Sequence, residues 1–131
     1  MDKEFTRRKI LIIDDELELL SLMKDVLEEE GYQALCAASG AEGIRIKEVE
    51  NPDLIVLDLR MPEMDGIETL RQIRKKDGKI KVVILTAYGS PDTIRDAADL
   101  NISEYLSKPF DNEQLVRVIS EALYRQVWER K

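Results

Sequence analysis

Short apolar runs alternate with longer segments of helical period, and this alternation limits the chain to few folds. Lys9-Ile10-Leu11-Ile12-Ile13 is continuous, apolar and β-branched, as expected for a strand buried on both faces. Leu19, Leu22, Met23 and Val26 follow at i, i+3, i+4 and i+7, one face of a helix that Gly31 ends. Gln33 to Cys36 reads as a weaker strand. Ser39 with Glu42 three residues on is a capping box, opening a second helix with Ala41 and Ile44 inward.

The same pattern then recurs. Leu54-Ile55-Val56-Leu57 is a strong strand, and the breaker-rich loop Met61-Pro62-Glu63-Met64-Asp65-Gly66 leads to a helix carrying Ile67, Leu70 and Ile73. Val82-Val83-Ile84-Leu85 is the next strand. Ser90-Pro91 marks a helix start, followed by an apolar-poor stretch with Ile94, Ala97 and Ala98. Glu104 to Ser107 is a short strand. Asp111 with Gln114 caps a last helix on which Leu115, Val118, Ile119 and Ala122 share a face.

Five βα units read as α/β, a doubly wound five-stranded parallel sheet in the order 2-1-3-4-5. A closed eight-fold barrel needs about 250 residues, and this chain has 131. No repeat, low-complexity tract or linker-like stretch divides it, so residues 1–131 are read as one domain.

Histidine is absent and there is one cysteine. Serine–histidine and cysteine–histidine catalysis, histidine-containing zinc sites and an internal disulfide are therefore excluded. Cys36 is read as an inert filler of an apolar strand. A net charge of −7 argues against nucleic acid as a ligand. No apolar run reaches the roughly 18 residues of a membrane span, and the charged segment before Ile10 lacks the apolar core of a signal peptide. The expected location is the cytoplasm.

In open parallel sheets, sites form beyond the carboxyl ends of the strands. There the sequence places Asp14 and Asp15 after the first strand, Asp58 after the third, Thr86 after the fourth and Lys108 after the fifth. Singly these read as a helix cap, a turn residue and a solvated charge. Three carboxylates drawn together are unfavourable unless they hold a cation. Oxygen donors without imidazole or thiolate select a hard ion, Mg²⁺ in a shallow site, with Mn²⁺ as the substitute. Such an ion with a lysine and a threonine beside it suits phosphoryl transfer, and a carboxylate can accept the phosphoryl group. Asp58 is the expected nucleophile. Lys108 is expected to pair with it and later with a phosphoryl oxygen, and Thr86 to donate to another oxygen.

The motifs Leu11-Ile12-Ile13-Asp14-Asp15-Glu16, Leu57-Asp58-Leu59-Arg60-Met61-Pro62-Glu63-Met64-Asp65-Gly66, Leu85-Thr86-Ala87 and Lys108-Pro109-Phe110 occur in this order. With them the chain resembles, over essentially its whole length, the receiver domains of two-component response regulators. The resemblance implies a flavodoxin-like fold and a phosphorylation-dependent switch, with Asp58 accepting a phosphoryl group from a phosphohistidine of a sensor kinase. It implies Mg²⁺ bound directly by Asp15 and Asp58, through water by Asp14, and by the Arg60 main-chain carbonyl. It also implies a phosphoryl contact from the Ala87 main-chain amide, a cis peptide before Pro109, and inward movement of Thr86 and Tyr105 on phosphorylation. The face built from the fourth helix, fifth strand and fifth helix would then change. Arg60 and Tyr88, two residues beyond Asp58 and Thr86, would modulate dephosphorylation.

The expected partners are a sensor histidine kinase or phosphotransfer protein, and an output domain or target protein; homodimerisation on phosphorylation is left open. The enzyme alternative is a phosphatase or phosphotransferase forming an aspartyl phosphate. Such enzymes place a second carboxylate two residues after the nucleophile, where this chain has Arg60. A flavin module of the same topology would meet repulsion between its phosphate and Asp14-Asp15. Trp128 is read as docking on the domain or continuing toward a partner, and Glu28-Glu29-Glu30 as a solvated helix end.

Overall fold

In the computed structural model, residues 7–61, 65–86, 95 and 97–124 are described. The readings of the Ser90-Pro91 helix start, Ile94, Ala87, Tyr88 and Trp128 lie outside the described residues, as do Pro62, Glu63 and Met64 of the loop motif. The strands are β1 (Lys9–Ile13), β2 (Gln33–Ala37), β3 (Leu54–Asp58), β4 (Lys81–Thr86) and β5 (Glu104–Ser107). The helices described in full are α1 (Leu17–Glu29), α2 (Gly40–Glu50), α3 (Gly66–Lys76) and α4 (Asn112–Tyr124). Between β4 and β5, Arg95, Ala97 and Ala98 are also helical. All strand pairs are parallel and the order is 2-1-3-4-5, as the pattern of runs predicts.

Alternate residues of each strand enter opposite layers, which is why the central runs are apolar throughout. Ile10, Ile12, Leu54, Val56, Val83 and Leu85 pack beneath α1 and α4. Leu11, Ile13, Ile55, Leu57, Val82 and Ile84 pack on the other face with Ile67, Leu70 and Ile73 of α3. Every one of these strand side chains is fully buried, a contribution of about 1.5–3 kcal/mol each before conformational entropy is charged against it.

Two helix faces differ from expectation. In α1 the buried residues are Leu20, Met23 and Leu27, while Leu22 is 50% exposed and Leu19 and Val26 only flank the core. The run of leucines admits two adjacent stripes, and packing against β1, β2 and α4 selects the one with Leu20, Met23 and Leu27. In α2 Ala41 is exposed, and Gly40 and Gly43 face inward instead. A Cβ on Gly43 would lie 2.8 Å from Ile13 Cγ1, so any larger residue there would push the Ile13 side chain aside.

The caps are well made. Ser39 Oγ accepts from Glu42 N–H at 3.2 Å, and Asp111 and Gln114 bond reciprocally at 2.8 and 2.9 Å. Asp65, read only as part of a loop, caps α3 by accepting from Glu68 N–H at 2.9 Å. Glu28 is not merely solvated: Lys24 Nζ donates to it at 2.8 Å and Ala34 N–H at 3.4 Å. Among the described residues no helix is long and apolar enough to cross a membrane.

Candidate functional site

The strand register builds the site. Ile13 pairs with Leu57, so the next residues, Asp14 just beyond β1 and Asp58 at the end of β3, lie side by side at the ends of adjacent strands spaced about 4.8 Å apart. This is also where the sheet order reverses, since β1 has β2 on one side and β3 on the other, the position at which doubly wound folds form crevices. Thr86 ends β4 opposite Ser107, and its carbonyl accepts from Lys108 N–H at 2.8 Å. The Lys108–Pro109 peptide is cis.

Asp14, Asp15 and Asp58 each bring one carboxylate oxygen within 4.8 Å of the others, a spacing that could hold a metal ion. Asp14 is fully buried and Asp58 is 4% exposed. Asp14 Oδ1 accepts from Glu16 N–H at 2.9 Å, and Asp58 Oδ1 accepts from Arg60 N–H at 3.0 Å. The second oxygens face Lys108 Nζ, at 3.1 Å for Asp14 and 3.3 Å for Asp58. The contact to Asp14 Oδ2 is ionic rather than a directed hydrogen bond, so this buried oxygen accepts from no donor. A buried, unsaturated carboxylate oxygen facing two more carboxylates has the chemistry a hard divalent ion requires.

Burial pushes both carboxyls above their ordinary value, and for Asp58 the neighbouring Asp14 charge adds to it. Backbone N–H groups and the Lys108 ammonium pull the other way. For Lys108, burial would favour the neutral amine, but the Glu16, Asp14 and Asp58 carboxylates outweigh it and keep the ammonium charged.

An open pocket of about 340 Å³ lies above, lined by Asp15, Glu16, Asp58, Arg60 and Lys108. Thr86 is buried at 4% exposure beneath this edge and does not line the pocket, and Tyr105 on β5 is 37% exposed and turned outward. Of the residues read from sequence, Asp14, Asp15, Asp58 and Lys108 are therefore brought together. The ion partner that sequence reasoning missed is Glu16, whose Oε1 accepts from Lys108 Nζ at 2.7 Å. Its place directly after the aspartate pair was the one available signal.

The chain is similar to known proteins in both sequence and fold. A family model for the response regulator receiver domain matches residues 10–120. Sporulation initiation phosphotransferase F of Bacillus subtilis (strain 168) is 41% identical over 107 residues, 82% of this chain and 86% of that protein. Transcriptional regulatory protein GlrR of Escherichia coli (strain K12) is 42% identical over 115 residues, 87% of this chain but 26% of GlrR. The crystal structure of a CheY-like response regulator receiver domain protein from Methanospirillum hungatei JF-1 matches with a TM-score of 0.89 at 31% identity, covering 95% of this chain and 99% of that one.

Proposed function

The chain belongs to the response regulator receiver domain family, and from that premise we propose that it is a signalling switch phosphorylated on Asp58. One observation carries the reading: a buried aspartate at the sheet's switch point lies under an open pocket, beside two further carboxylates and a charged lysine. The donor is a phosphohistidine on a sensor kinase or phosphotransfer protein, because this chain has no histidine of its own. The Asp58 carboxylate attacks phosphorus, the phosphorus–nitrogen bond breaks, and its electron pair stays on the imidazole of the donor. The ammonium of Lys108 attracts the carboxylate beforehand and a phosphoryl oxygen afterwards.

Asp14, Asp15, Asp58 and the Arg60 main-chain carbonyl are the ligands proposed for Mg²⁺. When bound, the ion neutralises charge that accumulates on the transferring phosphoryl oxygens. Thr86 is proposed to donate its hydroxyl to the phosphoryl group, with the Ala87 amide as a further donor, and Tyr105 to turn inward as Thr86 moves. The signal is then read from the face that includes β5 and α4 by an output domain or target protein. The Arg60 side chain, exposed at the pocket, and Tyr88 are proposed to limit access of hydrolytic water. The switch is proposed to comprise residues 1–131 and to work in the cytoplasm.

Incubation with Mg²⁺ and a small acyl phosphate, followed by intact-mass measurement, tests this. A single phosphoryl adduct is expected, lost on alkaline hydroxylamine treatment and absent from Asp58→Asn. Failure to form an adduct with any phosphodonor would overturn the reading.

A further inference from the structure

Glu16 occupies the N-cap position of α1 with extended backbone, φ −84° and ψ 103°, yet its side chain makes no capping hydrogen bond. The corresponding side chains of the other three helices described in full, Ser39, Asp65 and Asp111, each accept from the first turn. The Glu16 carboxylate reaches instead to Lys108, 92 positions away in the chain, and takes the shortest of the three contacts to its ammonium. The distances are 2.7 Å to Glu16, 3.1 Å to Asp14 and 3.3 Å to Asp58. An ammonium has three protons and no acceptor; this one donates to Glu16 and Asp58, while Asp14 Oδ2 faces it as an ion pair without a directed hydrogen bond. Asp14 and Asp58 are buried, while the Glu16 side chain is 61% exposed. Glu16 therefore meets Lys108 on the solvent side of the cluster.

We propose that Glu16 is a positioning residue that holds the Lys108 ammonium at the mouth of the pocket, in competition with the phosphoryl oxygens that arrive on Asp58. This rests on Asp58 being the phosphoacceptor. A phosphoryl group beside Asp58 adds acceptor oxygens and charge, and Lys108 turns a proton to it by giving up Glu16. The pair is partly exposed and therefore weak, so the competition is modest and reversible.

The test follows the Lys108 ammonium by NMR in ¹⁵N-lysine-labelled protein, together with the affinity for beryllofluoride, a phosphoryl mimic, at saturating Mg²⁺. In the metal-free proteins, the Lys108 signal is expected to differ between wild type and Glu16→Gln. With the mimic bound, the two signals are expected to coincide, because wild type has by then released Glu16. Glu16→Gln is expected to tighten beryllofluoride binding by about two- to fivefold, and the gain is expected to vanish in a Lys108→Met background. Four results would each overturn the proposal. These are one Lys108 signal for both free proteins, a difference that persists in the bound state, unchanged affinity, or an equal gain without Lys108, the mark of bare charge repulsion. If wild type binds no beryllofluoride and takes no phosphoryl group from acyl phosphate, the phosphoacceptor reading falls and this proposal with it. The signal of the metal-free protein tells that case from a failure of Glu16 alone.

Discussion

Asp58 and Asp14 are carboxylates placed where the solvent favours neither charge, and their cost can be measured. Burial raises both above the ordinary 3.8. A carboxyl whose folded value exceeds its unfolded value binds its proton more tightly when folded. Its contribution to stability is then fully present below the unfolded value and is lost as pH rises through the folded one. In the absence of divalent ions, Asp58→Asn is expected to be more stable than wild type at pH 7, by on the order of 1 kcal/mol. Asparagine keeps an oxygen for the Arg60 N–H, and Lys108 keeps Glu16 and Asp14. The advantage is expected to shrink as pH falls and the Asp58 carboxyl takes up its proton. Urea unfolding across that range measures it; a variant less stable than wild type at pH 7 would show that the Lys108 attraction outweighs burial.

Helix α3 is seated on the very backbone that carries Asp58. A Cβ on Gly66, the first residue of α3, would fall 2.5 Å from the Asp58 carbonyl oxygen and closer still to Leu59 Cα. Neither is the end of a flexible side chain, so the helix or the strand end must shift. Gly66→Ala is expected to cost about 1–3 kcal/mol and to slow phosphoryl uptake as well. Gly43→Ala meets only the Ile13 side chain. Relief of glycine's entropy cost, about 0.5–1 kcal/mol in a helix, offsets part of that clash. It is expected to stay within about 1 kcal/mol of wild type and to accept phosphoryl groups at the wild-type rate. Urea unfolding beside adduct formation separates the two. The α1 face shows the opposite case, a feature the sequence leaves ambiguous. Leucines at 17, 19, 20, 22 and 27 fit more than one stripe of period 3.6, and only contact with β1, β2 and α4 determines that Leu20 goes in and Leu22 stays out.

Taken over the entire chain, the −7 charge and the three clustered carboxylates predict two separable responses to added cations. Monovalent salt screens the general repulsion and gives a small rise in Tm. Mg²⁺ adds a specific term: at about 100 times its Kd, a ligand of the folded state contributes about 2.7 kcal/mol. For a domain of this size, at roughly 2–8 °C per kcal/mol, that is a rise in Tm of about 5–20 °C. Thermal melts with MgCl₂ and with NaCl at matched ionic strength are expected to differ by that amount in wild type and to coincide in Asp15→Asn. Coincident melts in wild type would remove the ion from the proposed mechanism.

The apolar runs specify five parallel strands because a strand buried on both faces has no polar alternation to hide it. Once the sheet is parallel, Asp14, Asp58, Thr86 and Lys108 must share one edge, whatever their separation in sequence. That much is local chemistry repeated along the chain. The Asp65 cap is local too, at the same i, i+3 spacing to Glu68 that marks Ser39 and Glu42. The Glu16–Lys108 contact and the close seating of Gly66 depend on how the elements meet in space. Each joins or seats groups whose spacing follows no helix or strand period, and what decides them is the volume and charge left over when the two layers have closed on the sheet.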